Sequence, residues 1–205
     1  MPPQSPGGYF TARLDGRDVA AVAPQPVGAV FCAWEPRRHR GAQLVNQHGS
    51  VNFNDLHTPD REGAKAFYGA VFGWETLEMD GGFAMWTLPG YGDHLEQDDP
   101  ELRARNRELG APEGFADVVA SLAPIADDGT PPHRGVTFAV DDADAIAVTA
   151  AERGGTVVVA PMDAPWVRMT VIADPQGATF VASRFMPENS SLIEDTFEAG
   201  GAARS

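Results

Sequence analysis

Asp55 and His57 stand two residues apart in the stretch Val51–Glu75, VNFNDLHTPDREGAKAFYGAVFGWE. Side chains alternate along an extended strand, so Phe53, Asp55 and His57 share one face. An imidazole beside a carboxylate suits a general base and the group that orients it. His133, Gly135, Thr137 and Ala139 share a face of a later strand in the same way. Tyr91, Asp93, His94 and Glu96 crowd a third stretch, and Glu96, if buried, would suit the acid. His57, His133 and Glu96 are also side chains from which a divalent metal site could be built. The plainer reading stands beside these: His57 is solvated at a strand end, and His133 merely follows Pro131-Pro132. Asp55 is harder to dismiss, because a mid-strand carboxylate on an enclosed face needs water or a partner. Trp86 and Trp166 fit a core or a ligand wall equally. Arg168 could hold a substrate carboxylate or phenolate, or pair with one of the chain's own carboxylates.

These residues need elements to position them. Residues up to Leu56 read as a half-buried strand. Asp60 is placed to cap a helix, and Glu62 suits its positive end. Ala64, Phe67, Tyr68, Val71 and Phe72 recur with the period of one buried helix face. Gly73 stops the helix. Before this, Tyr9–Leu14 and Val19–Ala23 flank Asp15-Gly16 as a hairpin, and Val27–Trp34 is a short strand. Pro36–Arg40 reads as a solvated basic linker. Afterwards, Gly82–Leu88 and Tyr91–Gln97 read as a second hairpin, and Pro100–Leu109 as a charged helix. Ala111–Pro132 reads as an irregular excursion with a short helix at Phe115–Leu122. Gly135–Val140 reads as a strand, and Asp142 caps the helix Ala143–Arg153. Thr156–Ala160, Val167–Ala173 and Ala178–Arg184 are strands, and residues 187–205 a frayed tail.

Composition narrows the class. The chain has 205 residues, 43% of them hydrophobic, and a net charge of −14. A polyanion is repelled by nucleic acid and by anionic membranes, so neither is expected as a partner. Lys65 is the single lysine beside many arginines, which reflects genome composition and not function. The lone Cys32 excludes an intrachain disulfide and fits a reducing compartment. No signal-peptide order or run of ~18–20 apolar residues is present, so a cytoplasmic protein is expected.

A shift of 82 positions (142 − 60) lays Asp60 on Asp142, Leu56 on Phe138, Thr58 on Val140 and Gly73 on Gly155. One β-α-β-β-β order thus occurs twice, and residues 9–36 look like fragments of further repeats. The motifs LHTPDREGAKAFYGAVFGWE, VTFAVDDADAIAVTAAERGGTVV and ADPQGATFVASRF carry a resemblance to the vicinal oxygen chelate superfamily. That superfamily includes glyoxalase I, bleomycin-resistance proteins and extradiol dioxygenases. More narrowly, the chain resembles tandem two-domain actinobacterial members described as hydroxylases, with most of the first domain missing. The resemblance implies an α+β fold, in which paired βαβββ modules form a half-open mixed β-barrel around a ligand site. Residues 1–40 would be remnant strands of the truncated domain. Residues 41–186 would be the complete domain, with modules 51–97 and 133–185 joined by a linker helix within 98–132. Residues 187–205 would be a flexible tail.

The resemblance also locates the superfamily's four metal-ligand positions. The first lies seven residues before each capping Asp, which gives Phe53 and Gly135 here. The eighth-strand position, seven residues after Asp174, is Val181. The fourth-strand position falls near Glu96. One carboxylate among Phe, Gly and Val does not make a metal site, so no metal or other cofactor is expected. The implied cavity would hold Asp55, His57, Glu96 and His133 as catalytic residues. Phe53, Trp86, Tyr91, His94, Thr137, Trp166, Arg168 and Val181 would contact a small apolar organic molecule. The expected function is metal-independent acid/base chemistry, such as isomerisation, cyclisation or elimination in secondary metabolism. One alternative is a protein that sequesters a drug or metabolite without turnover, as bleomycin-resistance relatives do. Another is a glyoxalase- or dioxygenase-type metal enzyme with displaced ligands. A homodimer is expected, in which strands Tyr9–Trp34 either pair with a second copy or fold back on their own chain.

Overall fold

The computed structural model describes residues 10–14, 17–22, 29, 31–33, 44, 46–79, 83–125 and 129–192. Tyr9, the Asp15-Gly16 turn, the Pro24–Pro26 break, the Pro36–Arg40 linker, Gly82 and the tail beyond Leu192 lie outside the described residues. So does the side chain of Cys32.

Strand β4 (Val51–His57) sends Leu56 and the adjoining Thr58 to one side, where both are fully buried. Asp60 then opens helix α1 (Arg61–Phe72) by accepting a 2.9 Å bond from the Gly63 N–H. Position 63 must be small, because a Cβ there would lie 2.2 Å from the Asp60 carboxylate. The helix buries Ala64 and Tyr68 and ends at Gly73, whose φ of 68° is the left-handed conformation glycine adopts freely. β5 (Glu75–Glu78) and β6 (Ala84–Thr87) form an antiparallel hairpin. Two short helices follow, α2 (Tyr91–Leu95) and α3 (Leu102–Glu108), before β7 (Val118–Ala123) completes the module. The second module repeats the order with β8 (His133–Ala139), α4 (Ala143–Glu152), β9 (Thr156–Ala164), β10 (Val167–Ala173) and β11 (Thr179–Phe185). Asp142 caps α4 with a 3.0 Å bond from the Ala145 N–H.

The eight strands form one mixed sheet in the order β5-β6-β7-β4-β8-β11-β10-β9. In each module the fourth strand runs parallel to the first, β7 beside β4 and β11 beside β8. The modules meet through antiparallel pairing of β4 with β8, which makes the order read the same from either end. α1 lies over Leu56, Trp86 and Leu122, which are fully buried with Tyr68. α4 lies over β9, β10 and β11. The opposite face is the one turned away from α1 and α4, yet Ser121 and Thr137 on it are only 9% exposed. The sheet therefore curls around that face as a half-open barrel. Among the described residues no helix is long and apolar enough to cross a membrane.

An N-terminal sheet of β1 (Phe10–Leu14), β2 (Arg17–Val22) and β3 (Phe31–Ala33) pairs antiparallel in that order. Phe31 packs beside α1, with ring centroids 6.3 Å from Phe67, 6.0 Å from Tyr68 and 5.5 Å from Phe72.

Three expectations are corrected. Tyr91–Gln97 is not a strand: Gly90 turns the chain at φ 82°, and α2 follows. A Cβ on Gly92 would lie 2.8 Å from Arg103 and 2.9 Å from Ala116, so this helix packs tightly against the excursion behind it. Phe115–Leu122 is not a helix; Phe115–Asp117 is one 3₁₀ turn, and β7 then fills the gap between β6 and β4. The fourth strand of the first module is thus Val118–Ala123, which lies within the stretch expected to be a linker. At the other end, Pro187–Ser191 forms a 3₁₀ turn, and the Asn189 side chain donates to the Val167 carbonyl at 3.1 Å.

Candidate functional site on the open face of the sheet

Residues directly opposite each other in a sheet share a face. One row crosses the first module and the seam: Leu77, Met85, Ser121, Asp55 and Gly135. The next row runs the other way: Phe53, Thr137, Val181, Val171 and Val159. Both rows lie on the face turned away from α1, since their neighbours Leu56, Trp86 and Leu122 bury against that helix. The centre is polar and the flanks are apolar.

Asp55 is the hub of that centre. One of its oxygens accepts a bond from the Ser121 hydroxyl, and the other accepts from the Thr137 hydroxyl at 3.1 Å. Asp55 and Thr137 are equivalent residues of the two modules, so one carboxylate bridges the seam. Beside it, His57 lies opposite His133, their rings parallel within 1° and 4.6 Å apart. The His133 Nδ1 lies 3.0 Å from the Pro131 carbonyl oxygen. That oxygen can only accept, so Nδ1 carries the proton in this contact. Burial pushes the His57 imidazole below the usual histidine range; nearby His133 adds to this and Asp55 opposes it. His57 is accordingly a neutral imidazole at neutral pH.

The structure brings Phe53, Asp55, His57, His133, Thr137 and Val181 onto this face and places the other candidates elsewhere. Glu96, at the end of α2, accepts from Arg103, which also holds Asp93 at 2.8 Å. It was expected inside the cavity only because Tyr91–Gln97 read as a strand. His94 is exposed on α2, and Tyr91 is half-buried there. Trp86 is fully buried on the helix side, 5.2 Å from Tyr68 and 5.8 Å from Trp74 between ring centroids. Arg168 is clamped by Asp144 of α4 at 2.5 and 2.7 Å and by Asp163 at 3.1 Å, so it staples helix to sheet. Trp166, at φ 68° in the turn before β10, stacks on Phe185 at 6.5 Å and is a rim residue.

Ser121 was missed from the sequence. Its signal lies in the symmetry of the ladders: it sits beside Asp55 as Val181 sits beside Thr137. Ser121, not Glu96, is therefore the fourth-strand equivalent of Val181. With Ser121 in the fourth place, the four positions that the resemblance marks for metal ligands hold Phe53, Ser121, Gly135 and Val181. A phenyl ring, a hydroxyl already bound to Asp55, a glycine and a valine do not form a divalent-metal donor set. Nor does Glu96 join the histidines; among the described residues no three His, Cys, Asp or Glu side chains are grouped to hold a metal ion.

A sheet of two paired βαβββ modules around an open face defines a class, and sequence comparison agrees with it. The chain belongs to the Glyoxalase/Bleomycin resistance protein/Dioxygenase superfamily, whose family model matches residues 50–181. A Mycobacterium tuberculosis protein named "Putative glyoxylase CFP32" is 37% identical over 164 residues, covering 80% of this chain and 54% of that one. The "Anthracycline biosynthesis protein DauV" of Streptomyces sp. is 34% identical over 160 residues, covering 78% of this chain and 50% of that one. The chain spans about half the length of these curated relatives. Among solved structures, the Mn(II)-bound glyoxalase from Novosphingobium aromaticivorans aligns at TM-score 0.43 and 18% identity, over 67% of this chain and 39% of that one.

Proposed function

We propose that this chain binds a small, largely apolar organic molecule on the open face and moves a proton on it without a metal in the superfamily's usual place. The observation that carries this reading is the hydroxyl-held Asp55 carboxylate beside a neutral His57, at the centre of positions that elsewhere hold metal ligands. Phe53, Met85, Val171 and Val181 supply apolar walls. The name of the Streptomyces relative supports a flat, polyketide-like substrate.

A neutral imidazole can take a proton from a carbon next to a carbonyl. The imidazolium that forms is favoured by the nearby Asp55 carboxylate. Returning the proton to another atom of the same molecule gives an isomerisation; returning it to a leaving group gives an elimination. Neither needs a co-reactant.

The test is an Asp55→Ala, His57→Ala double variant. A thermal-shift screen of flat, hydroxylated aromatic polyketides would identify a ligand, and mass spectrometry would follow its conversion. The double variant should lose turnover and keep affinity within several-fold. Undiminished turnover would overturn the acid/base reading. Tight reversible binding with no product in the wild type would mark a sequestering protein instead. Stoichiometric divalent metal in protein purified without a histidine tag would overturn the metal-free reading.

A further inference from the structure

Phe53 and Gly135 occupy equivalent places in the two modules, seven residues before Asp60 and Asp142, yet one is an aromatic ring and the other has no side chain. The space beside Gly135 is filled from the neighbouring strand. A Cβ built on Gly135 would lie 3.0 Å from His57 Nε2, 3.4 Å from its Cδ2 and 3.5 Å from the Asp55 Cβ. Contacts near 3.0 Å are tighter than most side chains make, so with any residue other than glycine the ring must give way by a few tenths of an ångström. The ring that rests there is the one stacked on His133 at 4.6 Å. Gly135 and His133 belong to the same strand, β8, two residues apart, so one strand supplies both the floor and the wall.

We infer that Gly135 is a positioning residue for His57. Its missing side chain is the seat that lets the imidazole lie across β8, over Gly135 and flat against His133. The inference rests on the reading of His57 as the base and adds how that base is aimed. Seated this way, Nε2 lies over Gly135, the residue opposite Asp55 in the sheet. Among the described residues, the charged or titratable groups that act on the ring are Asp55 on its own strand and His133 on β8. Ala123, its partner on β7, carries no charge. The seat needs no metal and replaces a superfamily ligand position with room for a neighbouring side chain.

Nuclear magnetic resonance of the full chain tests this without a substrate. In the wild type, a nuclear Overhauser contact between the His57 ring protons and the Gly135 Hα protons is expected. An upfield Hε1 shift from the His133 ring, and titration below the usual histidine range, are expected with it. Gly135→Ala should weaken the upfield shift and move the His57 titration upward. His133→Ala, which keeps the seat, should remove the upfield shift but retain the contact to Gly135. Absence of the wild-type contact overturns the inference, as does a folded Gly135→Ala protein with unchanged His57 signals. If Gly135→Ala does not fold, the wild-type contact and the His133→Ala spectrum still decide. Failure to find turnover would leave these signals intact, so the two proposals fail separately.

Discussion

Protonating His57 places a charge on a half-buried ring that faces a second imidazole at 4.6 Å. The folded protein therefore holds this proton more weakly than the unfolded chain, whose histidines titrate near 6.5. As pH falls through that value the unfolded state takes up the proton first, and stability declines until the lowered folded value is passed. Above the range the effect vanishes. A His57→Gln variant should thus lose less stability than the wild type between about pH 7.5 and about pH 5. Urea denaturation at the two values measures it, and equal losses would mean that His57 is not held out of water. Asp55 invites a second substitution. Thr137→Val keeps the shape and removes a hydrogen bond to a charged group on a residue only 9% exposed. A loss of about 1.5–3 kcal/mol is expected. Denaturation showing no loss would mean that Thr137 does not hold the carboxylate. Of the central residues, Asp55, His57 and Thr137 were legible from strand alternation alone. Ser121 was not, because the offset that aligns the first strands and helices fails for the fourth strand. The insertion between Thr87 and Val118 delays it.

Helices α1 and α4 begin alike. Asp60 accepts from Gly63 N at 2.9 Å and Asp142 from Ala145 N at 3.0 Å, each three residues into the chain. Replacing either Asp by Ala should cost about 1 kcal/mol, and similar losses should follow because the geometry is shared. Thermal denaturation of the two single variants checks this; a large loss at one site alone would show that the repeat is not equivalent there. These elements were readable because capping residue, helical period and glycine stop lie within one local stretch. β7 was not. Val118–Ala123 has a sequence that suits strand or helix, and its state is fixed by the vacancy between β6 and β4, whose residues are remote in the chain. Tyr91–Gln97 failed for the complementary reason. Its alternation looked extended, but Gly92 donates to the Asp117 carboxylate at 2.7 Å, a partner that only the folded excursion brings near. Glu96 left the candidate site with that strand, and Arg168 left it because Asp144 lies across a helix–sheet junction.

At the scale of the whole molecule, the N-terminal sheet bears on the stability of the larger one. Ala29 is 2% exposed and belongs to the cluster around Leu56, Tyr68 and Trp86. Phe31 places its ring against Phe67, Tyr68 and Phe72 on α1. The helix face that reads from sequence as one buried stripe thus has two coverings, the sheet beneath it and Phe31 beside it. Even so, Phe72 remains 37% and Val71 51% exposed. Phe31 is itself only half-buried, so Phe31→Ala should cost less than the 3–5 kcal/mol of a fully enclosed phenylalanine, about 2 kcal/mol. The contact is made within one chain in this structure. The drop in unfolding midpoint should therefore be independent of protein concentration. A wild-type midpoint that climbs with concentration, and a variant that abolishes the climb, would instead mean that Phe31 packs on a second copy. An unchanged midpoint at all concentrations would detach the N-terminal sheet from the domain. The concentration dependence separates pairing with a second copy from folding back on the same chain, the alternatives that the sequence of residues 9–36 leaves open.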